Sequence, residues 1–73
     1  MIQRVRIGVI GLGVMGEQYV RIYQAHPLAE VTAISNRSQE RLDAIGGKYG
    51  IKARYHDFEE MLRHAPIDAV CVA

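Results

Sequence analysis

The chain has little cysteine, little excess charge and no long apolar run, and each shortage removes a class of function. A single cysteine, Cys71, in 73 residues allows no internal disulfide, so a reducing, cytoplasmic setting is the expectation. Cys71 alternates within an apolar segment and reads as core filler, not as a nucleophile. Nine basic residues against eight acidic ones leave a formal charge of +1. They are scattered along the chain, which gives nucleic acid or an anionic membrane no footprint. No apolar stretch approaches membrane-spanning length. The basic-then-apolar opening is broken by Gly11, Gly13 and Gly16, is followed by Glu17, and carries no small-residue cleavage site. Metal spacings are missing as well: His26, His56 and His64 lack partners at ligand spacing, and neither C-x-x-C nor H-E-x-x-H occurs. Each histidine reads as solvated or capping. Asp57, Glu59 and Glu60 are accounted for by the first turn of a helix and are assigned no chemistry.

What is present is concentrated near the start. The β-branched apolar run Val5-Arg6-Ile7-Gly8-Val9-Ile10 leads directly into Gly11-Leu12-Gly13-Val14-Met15-Gly16, and a helical pattern follows. G-x-G-x-x-G in that context is a dinucleotide-binding signature. Gly11 allows the tight turn out of the strand, Gly13 lets backbone approach a pyrophosphate, and Gly16 lets the new helix pack closely on the strand. The helix N-terminus supplies unpaired N–H groups to the phosphates. The amides of Leu12, Val14 and Met15 belong to the same expected cradle.

The rest of the chain repeats a strand-helix alternation without internal repeats or low-complexity linkers. The spacing predicts strands over residues 5–10, 30–35, 52–55 and 67–73, with a first helix over 14–26 that Pro27 closes. A second helix, capped by Ser38, runs to Tyr49 and stops at Gly50; Gly46 and Gly47 are expected to fray or kink its last turn. A third begins at Asp57, which with Glu60 has the spacing of a capping box, turns Met61 and Leu62 inward and is stopped by Pro66. The fold class is therefore α/β, the N-terminal part of a Rossmann-type doubly wound parallel sheet, βαβαβαβ, with strand order 3-2-1-4. The chain reads as residues 1–73 of a dinucleotide-binding domain truncated after its fourth strand. The remainder of that domain and a substrate domain are expected to lie outside it, and the 73 residues alone are expected to be inactive.

The tip of the second strand speaks to the choice of cofactor. NAD-specific folds place Asp or Glu there to accept from the ribose hydroxyls. Here it reads Ser35-Asn36-Arg37-Ser38. Asn36 removes a charge that would repel a 2′-phosphate, Arg37 offers that phosphate a planar fork, and Ser38 adds a hydroxyl. The expectation is NADP in preference to NAD; the alternative is that Asn36 still serves NAD's ribose beside a solvated Arg37.

Taken in order, the glycine motif, Tyr23 to Pro27, Glu30-Val31-Thr32-Ala33, Asn36-Arg37-Ser38 with Glu40-Arg41, Lys48-Tyr49-Gly50-Ile51, Tyr55 to Leu62 and Ile67-Asp68-Ala69-Val70 resemble the start of the glucose-fructose oxidoreductase/inositol dehydrogenase (Gfo/Idh/MocA) family. The resemblance covers essentially the whole chain and implies a two-domain oxidoreductase moving hydride between NAD(P) and a sugar, polyol or related carbonyl compound. It implies a small-molecule substrate and a homo-oligomer for the whole protein. The family's Glu-Lys-Pro element and its downstream Asp and His lie beyond residue 73, so no catalytic residue transfers. Two departures stand out: Asn36 replaces the Asp of many members, and Gly46-Gly47 interrupt a helix usually richer in Ala and Glu. Gly-Leu-Gly-Val-Met-Gly followed by Asn-Arg-Ser also resembles the 6-phosphogluconate/3-hydroxyisobutyrate dehydrogenase group, although His26-Pro27-Leu28-Ala29-Glu30 stands where that group usually has Gly before strand two. A glycosidase retaining NAD and a non-catalytic dinucleotide sensor remain as readings of other classes.

Overall fold

The computed structural model describes residues 3–73. Its elements are β1 (Val5–Ile10), α1 (Val14–Ala25), β2 (Ala29–Ser35), α2 (Gln39–Tyr49), β3 (Ala53–Tyr55), α3 (Phe58–His64) and β4 (Ala69–Val72). The four strands pair in parallel in the order β3-β2-β1-β4, as the alternation of elements predicts, and form a Rossmann-type α/β fold. Because β1 is central, three successive residues, Ile7, Gly8 and Val9, are buried on it, which requires cover on both faces. On one face Val20 of α1 and Leu42 and Ile45 of α2 pack with Ile7, Val9, Val31 and Ile34 of the sheet. On the other, α3 sets Met61 over Gly8, with the Met61 Cε 3.0 Å from where a Cβ on that glycine would stand.

One feature of β2 was not legible in its alternation. Val31 and Ile34 are an odd number of residues apart, so a regular strand would send them to opposite faces. Both lie in the same core. The pairing explains it: Ile7 opposes Val31 and Gly8 opposes Ala33, leaving Thr32 as an extra residue in a bulge. Thr32 is held there by its hydroxyl, which donates to the Pro66 carbonyl at 2.8 Å.

The helix ends largely follow their sequence signals. The Ser38 Oγ accepts from the Arg41 N–H at 3.2 Å, and Gly50, at φ 70°, closes α2. The expected fraying at Gly46 and Gly47 does not occur; α2 runs unbroken to Tyr49. Asp57 does cap α3, accepting from Glu59 N at 2.9 Å, but the other half of the capping box is not made. Glu60 turns instead to His64 and Arg63 along its own helix, at 3.3 and 3.8 Å. Leu62 was expected inside and is exposed: a helix of seven residues on this face has room to bury Met61 alone. The fourth strand is shorter than its apolar run. Ile67 N–H bonds back to Ala65 and Asp68 is taken by Arg6, so pairing with β1 starts at Ala69. Arg6 binds Asp68 through both backbone N–H and guanidinium, at 2.9 to 3.2 Å. Cys71 packs half-buried against the main core, as expected. No helix among the described residues is long and apolar enough to cross a membrane, and none of their His, Cys, Asp and Glu side chains group in threes that could hold a metal.

Candidate cofactor-binding site

The C-terminal ends of β1, β2 and β3 open onto a cleft of about 320 Å³ lined by Ile10, Gly11, Ser35, Asn36, Arg37, His56 and Phe58. In a doubly wound sheet, ligands bind outside these strand ends. The turn that leads from β1 into α1 forms one wall, and its three glycines have three different surroundings. Gly11 sits at φ +91°, a conformation that L side chains rarely adopt, and its N–H donates to the Ser35 carbonyl at 2.9 Å. Gly16 lies directly over this turn, where a Cβ would collide with the Gly11 carbonyl oxygen. Gly13 faces open space, with nothing within 4 Å of a Cβ built on it. That opening adjoins the start of α1, for which Gly13 is the N-cap and no side chain caps the helix. The first-turn N–H groups, with Val14 and Met15 exposed around them, are left for an anion. The residues present therefore fit a diphosphate.

A carboxylate, Glu17, stands in that same first turn and would oppose an anion. It is neutralised by two cations of α2, Lys48 at 3.0 Å and Arg41 at 3.3 Å. The Lys48 hydrogen bond, with help from Arg41, holds the Glu17 carboxyl below its ordinary value, and Lys48 is raised in return.

The expected adenosine-side residues come together at the tip of β2. Asn36 Oδ1 accepts from the Leu12 N–H at 3.2 Å, which fixes the orientation of the carboxamide: its oxygen is turned to the glycine turn and its NH₂ is left for other partners. The same bond means that the Leu12 amide, expected in the phosphate cradle, is already engaged within the protein, and the Leu12 side chain is fully buried. The Arg37 side chain is exposed and has no partner among the described residues; only its carbonyl is engaged, facing His56 Nδ1 at 3.3 Å. Ser38 spends its oxygen capping α2 and keeps a hydroxyl proton to donate.

Three contributors lay outside the sequence reading of the site. His56 and Phe58, from the segment after β3, line the cleft. Arg41 grips the glycine turn itself, with Nε and Nη2 donating to the Leu12 carbonyl at 2.9 and 2.7 Å. Arg41 comes from 29 residues away, and no local spacing rule reaches that far.

Residues 5–73 match the profile of the Gfo/Idh/MocA oxidoreductase family, NAD-binding Rossmann fold. Inositol 2-dehydrogenase 1 of Saccharopolyspora erythraea is 38% identical over 71 residues, spanning 94% of this chain and 21% of that protein. Among solved structures, scyllo-inositol dehydrogenase of Lactobacillus casei with bound NAD(H) and scyllo-inositol superposes with a TM-score of 0.93 at 28% identity, over 97% of this chain and 21% of that one. A variant 3-ketoreductase of Actinomadura kijaniata in complex with TDP-benzene and NADP superposes with a TM-score of 0.84 at 30% identity, over 96% and 22%. The chain thus spans about a fifth of the length of the relatives it matches.

Proposed function

Since the chain belongs to the Gfo/Idh/MocA family of oxidoreductases, whose matched domain is an NAD-binding Rossmann fold, we propose that it is the cofactor-binding portion of a dehydrogenase acting on a polyol, sugar or related carbonyl compound, with NADP preferred to NAD. The substrate class rests on the inositol dehydrogenases among its relatives. The dinucleotide supplies the hydride chemistry when bound. The chain's own part is to hold and orient it: Gly11, Gly13 and Gly16 shape the diphosphate turn, the amides of Val14 and Met15 face the anion, and Asn36, Arg37 and Ser38 meet the adenosine ribose. The described residues bring no candidate acid, base or substrate pocket to the end of β4, so the 73 residues alone are expected to bind cofactor without turnover.

The observation that carries the cofactor preference is the pair Asn36 and Arg37. With its oxygen spent on Leu12 N–H, Asn36 presents donors to the cleft, where a carboxylate would present an acceptor to two ribose hydroxyls. Beside it stands the Arg37 guanidinium, exposed and without a partner among the described residues, suited to a phosphate dianion. In the intact protein, Arg37→Ala should remove about 1.5–3 kcal/mol from NADP binding, roughly ten- to a hundred-fold in affinity, and leave NAD nearly unchanged. Asn36→Asp combined with Arg37→Ala should invert the preference. Titration of both cofactors at fixed ionic strength checks this; equal losses for NAD and NADP would reduce Arg37 to an adenine-stacking or loop residue.

A further inference from the structure

The two peptide groups around Leu12 are both held by side chains from beyond the turn. Asn36 Oδ1 accepts from Leu12 N–H, and the Arg41 guanidinium donates twice to Leu12 C=O. Two parallel donors on one carbonyl fix its direction as a single lysine contact would not. In a trans peptide the carbonyl and the following N–H point to opposite sides, so turning Leu12 C=O toward Arg41 turns Gly13 N–H away from α2. Gly13 is the residue with open space around it, at the uncapped start of α1. We propose that Arg41 is a positioning residue for the diphosphate: by gripping the Leu12 carbonyl it aims the Gly13 N–H, and the turn with it, at the bound dinucleotide. Glu17 steadies the grip by accepting from Arg41 Nη2 at 3.3 Å while Lys48 takes its other oxygen at 3.0 Å. Arg41 acts through the backbone and not by touching the ligand.

This inference rests on the dinucleotide reading of the site but not on the NADP preference. Its test compares Arg41→Lys and Arg41→Ala with wild type in the intact protein, titrating NAD, NADP and, by competition, adenosine, which has no diphosphate and no 2′-phosphate. Arg41→Ala is expected to weaken NAD and NADP alike by roughly tenfold and to leave adenosine unchanged. Arg41→Lys keeps the charge but not the two-pronged grip, and should show most of the same loss; it also answers the question if the alanine variant does not fold. The Gly13 amide resonance should move on NAD addition in wild type and move less in Arg41→Lys. Full dinucleotide affinity in Arg41→Lys would assign any role of Arg41 to charge alone, and an equal loss for all three ligands would make it a general folding contact; either overturns the proposal. A wild-type protein that bound neither dinucleotide would remove the underlying reading and the proposal together, whereas a failure confined to the Arg37 variants would leave the proposal standing.

Discussion

Single residues divide the glycine motif into parts with separable duties. A Cβ at position 16 meets the fixed backbone oxygen of Gly11, which has no rotamer by which to escape. Gly16→Ala should therefore lower stability by about 1–3 kcal/mol, the usual cost of forcing extra volume into a packed site. A Cβ at position 13 meets nothing inside the protein and stands where the diphosphate is expected. Gly13→Ala should fold with a melting temperature close to wild type and lose dinucleotide affinity. Thermal melts and cofactor titrations on the pair check the division, and a Gly13→Ala protein that binds normally would place the diphosphate elsewhere. These glycines were legible in the sequence because strand, motif and helix are contiguous, so local geometry alone assigns them. Arg41 and His56 were not, because their nearness to the turn and the cleft arises only when α2 packs against α1 and β3 pairs with β2. The engagement of the Leu12 amide was hidden for the same reason: its partner, Asn36, lies 24 residues away.

At the scale of elements, α2 holds two adjacent glycines that the sequence treats alike and the fold does not. Gly47 is exposed, helical and surrounded by open space, so Gly47→Ala should stabilise the protein by about 0.5–1 kcal/mol through helix propensity and the entropy of the unfolded chain. Gly46 is buried against the Arg54 guanidinium, which is itself tied to the Ile51 carbonyl at 2.7 Å and to Asp43 at 3.4 Å. Gly46→Ala must displace that side chain, and the propensity gain should be cancelled or reversed. Urea denaturation of the two variants gives the comparison, and equal gains would mean that Arg54 moves aside at no cost. The number, type and order of elements were readable from periodicity and punctuation. The errors fall where a local signal has more than one solution. A capping-box spacing does not oblige Glu60 to turn back when His64 and Arg63 lie one turn ahead, and an apolar Ile67 does not extend β4 when Arg6 claims the next residue. The Thr32 bulge is a property of pairing between strands, which one strand's pattern does not contain.

For the molecule as a whole, the shifted ionisable groups define how stability follows pH. Glu17 and Asp68 are both held below their ordinary values near 4.5 and 3.8, by Lys48 and Arg41 in one case and by Arg6 in the other. A carboxylate with a depressed folded value contributes stability that is fully present above its unfolded pKa and is lost as pH falls through the folded one. Lys48 and Arg6 are raised, so their contribution is present below their ordinary values and is lost only on the alkaline side, as pH rises through the raised ones. Stability should be flat through neutrality and decline on the acid side below about pH 5. Glu17→Gln and Asp68→Asn should each flatten that decline in denaturant melts taken from pH 7 to pH 3; an unchanged acid slope in both would show that these exposed pairs are fully screened by solvent. The sheet also has a bare side. β4 is one of the two edge strands, with Val70 and Val72 exposed. The 73 residues studied by themselves should associate in a concentration-dependent manner through this edge, as sedimentation can show, whereas a strict monomer at high concentration would mean that the edge is protected.

The double hold on Leu12 also has a consequence for inheritance. A mutation at codon 36 that retunes the cofactor would disturb the peptide on one side of Leu12 while codon 41 sets the peptide on the other, so the effect of each substitution depends on the residue at the other position. Lineages that exchange one dinucleotide for the other through codons 36 and 37 should therefore tolerate the change differently according to the residue at codon 41, and the order in which the replacements arise should matter.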